Sequence, residues 1–97
     1  AHLIGTIPGL VVLDVRTPVE HADGRIRLSR NMDFFADDFE QQISALDRQA
    51  SYLIYCRSGG RSRFTLDLLE ELGFSNAVHM PAGMEGWCAA GLPVVTA

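Results

Sequence analysis

The sequence predicts an α/β architecture, a small and mainly parallel sheet flanked by helices on both faces, and three observations carry that reading. Residues 10–15 and 51–55 are short apolar runs with β-branched or aromatic members, the pattern of strands buried on both faces. Each run leads within a few residues into a helix-start pattern. Segments of helical period then alternate with strand-like ones along the chain, the order that builds a parallel sheet.

The first strand is Leu10-Val11-Val12-Leu13-Asp14-Val15. Thr17 can cap a helix, Pro18 suits its first position, Glu20 completes a capping box and Gly24 ends it. Residues 26–34 are ambiguous, with Asn31-Met32-Asp33 as a short strand. Asp37 with Glu40 repeats the cap pattern, and Phe39, Ile43 and Leu46 share one helical face. Ser51-Tyr52-Leu53-Ile54-Tyr55 is the second buried strand. A helix then runs through Leu72, with Phe64, Leu68, Leu69 and Leu72 as its apolar stripe and Gly73 just past its end. Residues 76–80 suggest a further strand, and a short helix over residues 84–90 ends before Gly91 and Pro93.

Bulk properties narrow the function. The chain has 97 residues, 47% hydrophobic and 21% charged, with a net charge of −4. We read 1–97 as one domain of ordinary globular composition. All eight basic residues are arginine, none is clustered into a basic face, and a nucleic-acid partner is not expected. No apolar stretch approaches the ~20 residues of a membrane span, so no membrane association is expected and a cytoplasmic location is. Two cysteines, Cys56 and Cys88, make neither a disulfide framework nor a metal-ligand spacing.

The informative segment is Cys56-Arg57-Ser58-Gly59-Gly60-Arg61-Ser62, which joins a strand to a helix. Amides at a helix start lack intrahelical partners and the helix dipole favours negative charge there, so this arrangement makes an anion site. Gly59 and Gly60 can adopt positive φ, letting successive N–H groups point into one concavity. Arg57 and Arg61 can add positive charge at the rim or brace the loop. A cysteine in that setting has a lowered pKa and carries the reactive thiolate.

With these residues in view, the chain resembles a single rhodanese domain. The matching pieces are Val12-Leu13-Asp14-Val15-Arg16-Thr17-Pro18 with Glu20, then Gly24, Ile26 and Asn31. Tyr55-Cys56-Arg57-Ser58-Gly59-Gly60-Arg61-Ser62, Leu69 with Leu72-Gly73-Phe74, Gly83-Met84 with Trp87, and Ala90-Gly91-Leu92-Pro93-Val94 follow in order, so that the likeness covers about residues 10–95. The resemblance implies that Cys56 takes the outer sulfur of a small anionic donor such as thiosulfate and holds it as a persulfide. It then passes the sulfur to cyanide or a thiol, thiol proteins among them. Ser58, Gly59, Gly60 and Arg61 match the loop that surrounds the persulfide, Ser62 begins the helix, and Arg57 and Arg61 meet the donor. No metal and no organic cofactor is implied.

The chain departs from the family at Arg25-Ile26-Arg27-Leu28-Ser29-Arg30, where a His-Ile-Pro-Gly-Ala-like stretch is usual. The family's opening strand is also not clear before Leu10. Two neighbouring readings stay open. Cysteine phosphatases, and arsenate reductases of like chemistry, place five residues between cysteine and arginine, whereas four separate Cys56 from Arg61. Rhodanese-like domains also serve as catalytically silent regulatory or docking units, which commonly lack the cysteine.

Structural roles are expected elsewhere. Asp14 and Arg16 read as a hydrogen-bonded pair holding the strand end, and Trp87 as a core residue with its N–H satisfied locally. Cys88 reads as a spectator thiol. His2, His21 and His79 show no mutual spacing; His79 ends a predicted strand and can approach the pocket mouth, but a packing or surface role is favoured. With no apolar stripe left over, a monomer is expected.

Overall fold

The computed structural model describes residues 9–96. Its element order is β1 (Val11–Asp14), α1 (Pro18–Asp23), β2 (Arg30–Asn31), α2 (Phe39–Ser44), β3 (Tyr52–Tyr55), α3 (Gly60–Glu71), β4 (Ala77–His79) and α4 (Gly83–Ala89). The four strands form a parallel sheet in the order β2-β1-β3-β4. The α/β fold with a parallel sheet read from the sequence is therefore the fold observed.

Side-chain alternation along the strands divides the core. Leu13, Val15, Tyr52, Ile54 and Cys56 face one side, where Phe39 and Ile43 of α2 and Leu68 and Leu69 of α3 cover them. Val12 and Tyr55 face the other side and pack with Ile26 and with Met84 and Trp87 of α4. Successive residues of β1 and β3 thus point into two separate apolar layers, which explains their unbroken hydrophobicity.

Local chemistry sets the ends. Thr17 and Glu20 form the capping box of α1, with Pro18 in its first turn. Asp38, one residue past the predicted cap Asp37, precedes α2, and its carboxylate accepts from the Gln42 side chain instead of capping the helix. β2 is shorter and earlier than predicted. Its Arg30 is exposed because β2 is an edge strand, so a charged side chain is accommodated there. β4 is likewise shorter than predicted, and α4 begins one residue earlier, at Gly83.

The atypical segment after Gly24 has its own solution. Arg25 forms an antiparallel bridge with Val95, Ile26 is buried, and the chain turns through Leu28 at φ 66°. A leucine therefore occupies a left-handed position. Phe64 is a correction to the sequence reading: it is 62% exposed, not part of the buried stripe. Ser62, Thr65, Leu68 and Leu69 face inward, and a residue two positions beyond Ser62 lies on the far side of a 3.6-residue turn. Phe64 instead meets Phe34 edge-on, next to exposed Phe35, so an apolar aromatic patch is left at the surface after the core is filled. The question of the family's opening strand before Leu10, and that of His2, concern residues 1–8, which lie outside the described residues.

Candidate active site

In a parallel sheet, the crevice outside the carboxyl ends of the strands collects loops, and it is deepest where chain connections diverge to either side. Here that point lies between β1, whose chain next adds β2 on one side, and β3 on the other. Cys56 is the residue immediately after β3. Its side chain is 1% exposed and belongs to the apolar layer under α2 and α3.

The loop then wraps around the sulfur. Gly59 adopts φ 108°, and its N–H donates to Cys56 Sγ at 3.1 Å. The Ser62 N–H donates to the same sulfur at 3.4 Å, and the Ser62 hydroxyl lies 3.6 Å from it. Gly60 is already the first residue of α3, so only one of the two glycines is left-handed, and Ser62 stands on the helix's first turn instead of starting it. Burial pushes the Cys56 thiol up, but the Ser62 amide and hydroxyl and the amides of Gly59 and Ser58 outweigh it, leaving the pKa below that of an ordinary cysteine.

The arginines are partly committed. Arg61 grips Glu20 of α1 with two bonds, at 2.8 and 3.1 Å, and lies over the Phe35 ring at 5.6 Å. It braces the loop against α1. Cys56 still adds to the stabilisation of its charge, after Glu20. Arg57 is free-standing by comparison: its side chain is 69% exposed and meets Glu85 at 3.4 Å. It lines a concavity of about 440 Å³ with Arg16, Glu20, Glu85 and Cys88. Cys56 and Cys88 are both free thiols, the second exposed.

The turn between β4 and α4 closes the loop from behind. The Met84 and Glu85 amides, among the first of α4, donate to the Cys56 and Arg57 carbonyls at 2.7 and 2.9 Å. Gly83 has φ 59°, and a Cβ there would stand 2.5 Å from the Cys56 carbonyl oxygen. A Cβ on Gly59 would collide with the Pro81 carbonyl. Both glycines are required because backbone meets backbone at these two places.

Beneath the site, Asp14 is fully buried and accepts from five donors. Arg16 gives its backbone N–H, Nε and Nη2 at 3.0, 2.9 and 2.8 Å, the Tyr55 hydroxyl gives one at 2.9 Å, and His21 Nδ1 lies at 2.8 Å. Burial raises the Asp14 pKa, but bonds from Arg16 and then His21 bring it below the usual carboxylate range. Arg16 Nη2 also bonds the Gly24 carbonyl, pinning the end of α1. This is the structural pair read from the sequence. The Trp87 indole N–H donates to the Pro93 carbonyl at 2.6 Å, again within its own neighbourhood.

Two contacts are not visible in the sequence pattern. Local spacing presents Glu20 only as a cap, although it also holds Arg61. It favours packing or the surface for His79, yet the less favoured approach to the pocket is the one observed, with His79 Nδ1 3.0 Å from the Ser62 hydroxyl. The parallel sheet itself is the signal that could have found it. His79 pairs in register with Ile54, so it ends on the same side as Cys56. Among the described residues no group of side chains forms a metal-ligand cluster, and no helix is long and apolar enough to cross a membrane.

A cysteine held by loop amides at the carboxyl edge of a parallel sheet defines a class, and known proteins give it a family. Residues 3–90 match the Rhodanese-like domain family. A sulfurtransferase of Allochromatium vinosum is 29% identical over 86 residues, which cover 89% of this chain and 78% of that protein. The thiosulfate sulfurtransferase GlpE of Haemophilus influenzae is 31% identical over 93 residues, 92% of this chain and 83% of that one. A rhodanese-related protein from Thermoplasma volcanium superposes with a TM-score of 0.86 at 33% identity, over 98% of this chain and 92% of that structure. The chain belongs to the Rhodanese-like domain family, among the rhodanese-like sulfurtransferases.

Proposed function

We propose that Cys56 is the catalytic nucleophile of a thiosulfate-type sulfurtransfer. The observation that carries this reading is the set of N–H donors converging on Cys56 Sγ, which favours a sulfur anion in a buried place. The Cys56 thiolate attacks the outer sulfur of thiosulfate. A sulfur–sulfur bond forms to Cys56, the bond within thiosulfate breaks, and sulfite leaves with the electron pair. The persulfide anion inherits the loop amides. Cyanide or a thiolate then attacks the outer sulfur, leaving as thiocyanate or a new persulfide and restoring the Cys56 thiolate. Arg57, exposed at the rim, attracts the anionic donor, while Ser58, Gly59, Gly60, Arg61 and Ser62 shape the loop. No step of this cycle calls for a metal or organic cofactor.

One observation favours the silent docking reading: the Cys56 side chain is almost wholly covered. The same experiment separates the two. Intact mass is measured after thiosulfate, with and without later cyanide, on wild type and Cys56→Ser. A gain of about 32 Da, one sulfur atom, on wild type alone, removed by cyanide with release of thiocyanate, is expected. Folded, reduced protein that gains no mass excludes the thiosulfate reaction and leaves a different sulfur donor, the phosphatase or the docking unit to be tested in turn.

A further inference from the structure

Ser62 is fully buried and carries one hydroxyl proton, yet its oxygen has three polar neighbours. They are the Gly59 carbonyl at 3.1 Å, His79 Nδ1 at 3.0 Å and Cys56 Sγ at 3.6 Å. A hydroxyl donates once and accepts up to twice, so the three contacts are served together only while Cys56 Sγ and His79 Nδ1 both donate and the Ser62 proton goes to the Gly59 carbonyl. While Cys56 is a thiol, its S–H can donate to Ser62 Oγ, and the Ser62 proton is free to go to His79 or Gly59. Once Cys56 is a thiolate, the sulfur is only an acceptor. It then gains from Ser62 only when the hydroxyl proton turns towards it and away from the Gly59 carbonyl, and His79 Nδ1 is a second competitor for that proton unless Nδ1 itself bears hydrogen.

We infer that His79 is a positioning residue for Cys56: by donating Nδ1–H to Ser62 Oγ, it withdraws from competition for the Ser62 hydroxyl proton and leaves the Gly59 carbonyl as the sulfur anion's remaining rival among these neighbours. His79 never touches the sulfur. It acts through Ser62, from the end of the strand beside β3, and a partly buried ring fixed on β4 holds that geometry better than a loop side chain would. The inference rests on Cys56 being the nucleophile proposed above, but its thiolate part is measurable whether or not sulfur is transferred.

The test uses a Cys88→Ser background, so that Cys56 is the remaining thiol. Two rates are followed from pH 5 to 9: alkylation of Cys56 by iodoacetamide, and mass gain from thiosulfate. The charged groups near the sulfur, Arg61 on Glu20 and Arg57 on Glu85, keep their partners in every variant. His79→Leu is expected to slow alkylation at neutral pH by roughly two- to tenfold, the worth of one net hydrogen bond, and to move its midpoint to higher pH. His79→Asn restores the rate, because its side-chain nitrogen takes the place of Nδ1. His79→Gln, polar but one bond longer, behaves like His79→Leu, so a folding defect in the leucine variant does not decide the matter. The Ser62→Ala, His79→Leu double variant is no slower than Ser62→Ala alone. A His79→Leu or His79→Gln protein that matches wild type, or a double variant slower by the product of the two single effects, overturns the inference. If no protein gains sulfur but the alkylation pattern holds, it is the transfer reaction that has failed and the role of His79 stands.

Discussion

Arg61 and Glu20 lie 41 positions apart, yet the guanidinium of one holds both carboxylate oxygens of the other at 2.8 and 3.1 Å. Glu20 also accepts the Thr17 N–H and hydroxyl, so a single carboxylate caps α1 and braces the cysteine loop. The arginine that follows the loop glycines is, in this protein, first a strut.

That strut has a pH signature. Arg61, with help from Thr17, holds the Glu20 carboxyl at about 2, against an ordinary 4.5. The contribution is present above the unfolded value and is lost as pH falls from about 4.5 through about 2. Both side chains are partly exposed, so Glu20→Gln is expected to cost on the order of 1 kcal/mol at pH 7 after solvent screening. Urea unfolding at pH 7 and pH 2 should show the gap between the two proteins closing at the acid end. A gap that persists unchanged at pH 2 contradicts the assignment.

Asp14→Asn is expected to damage stability more than Glu20→Gln does. It leaves the buried Arg16 cation without its counter-charge and turns one acceptor into a donor facing donors. A loss of about 3–5 kcal/mol, read from the urea midpoint at pH 7, is expected. A loss below about 1 kcal/mol means that Arg16 finds another partner.

Leu28→Gly should stabilise the protein. Leu28 is 84% exposed and sits at φ 66°, so it contributes little packing and carries the cost of the left-handed region. Glycine relieves that cost but gives up more freedom on folding, leaving a net gain of about 0.5–1 kcal/mol. Thermal unfolding of the two proteins decides the sign.

Arg57→Ala separates binding from folding. With its side chain largely in solvent, its removal should leave stability within about 0.5 kcal/mol. The KM for thiosulfate should rise several-fold with kcat nearly unchanged, and added salt should shrink the difference. Unchanged KM at low salt places the donor's charge elsewhere.

The readable parts of this sequence are those decided by neighbouring residues. β1 and β3 are legible because both faces are buried and nearly every side chain must be apolar. The start of α1 is legible because Thr17, Pro18 and Glu20 satisfy its free amides within four positions. The cysteine loop is legible because strand, glycine and helix start follow one another directly. What escapes is decided at a distance. β2 is two residues long and carries too little pattern to place. Phe64 is misplaced by its spacing because the rotation of α3 is set by Ser62 against the sulfur and not by the helix's own apolar count. Glu20 and His79 reach the site from other elements: local spacing contains no trace of the Glu20 contact, and for His79 it offers only a strand end that can approach the pocket.

The double glycine contact between the cysteine loop and the β4–α4 turn bears on exchange of parts between related proteins. Gly59 lies against Pro81, and Gly83 lies against the Cys56 and Arg57 carbonyls, so the two segments fit like the halves of a mould. A loop transplanted from a relative, however well chosen for its own seven residues, would meet a surface cast for another shape. Residues 56–62 and 80–85 therefore form one transferable unit despite the long helix between them, and a chimera that moves both should fold where one that moves the loop alone should not.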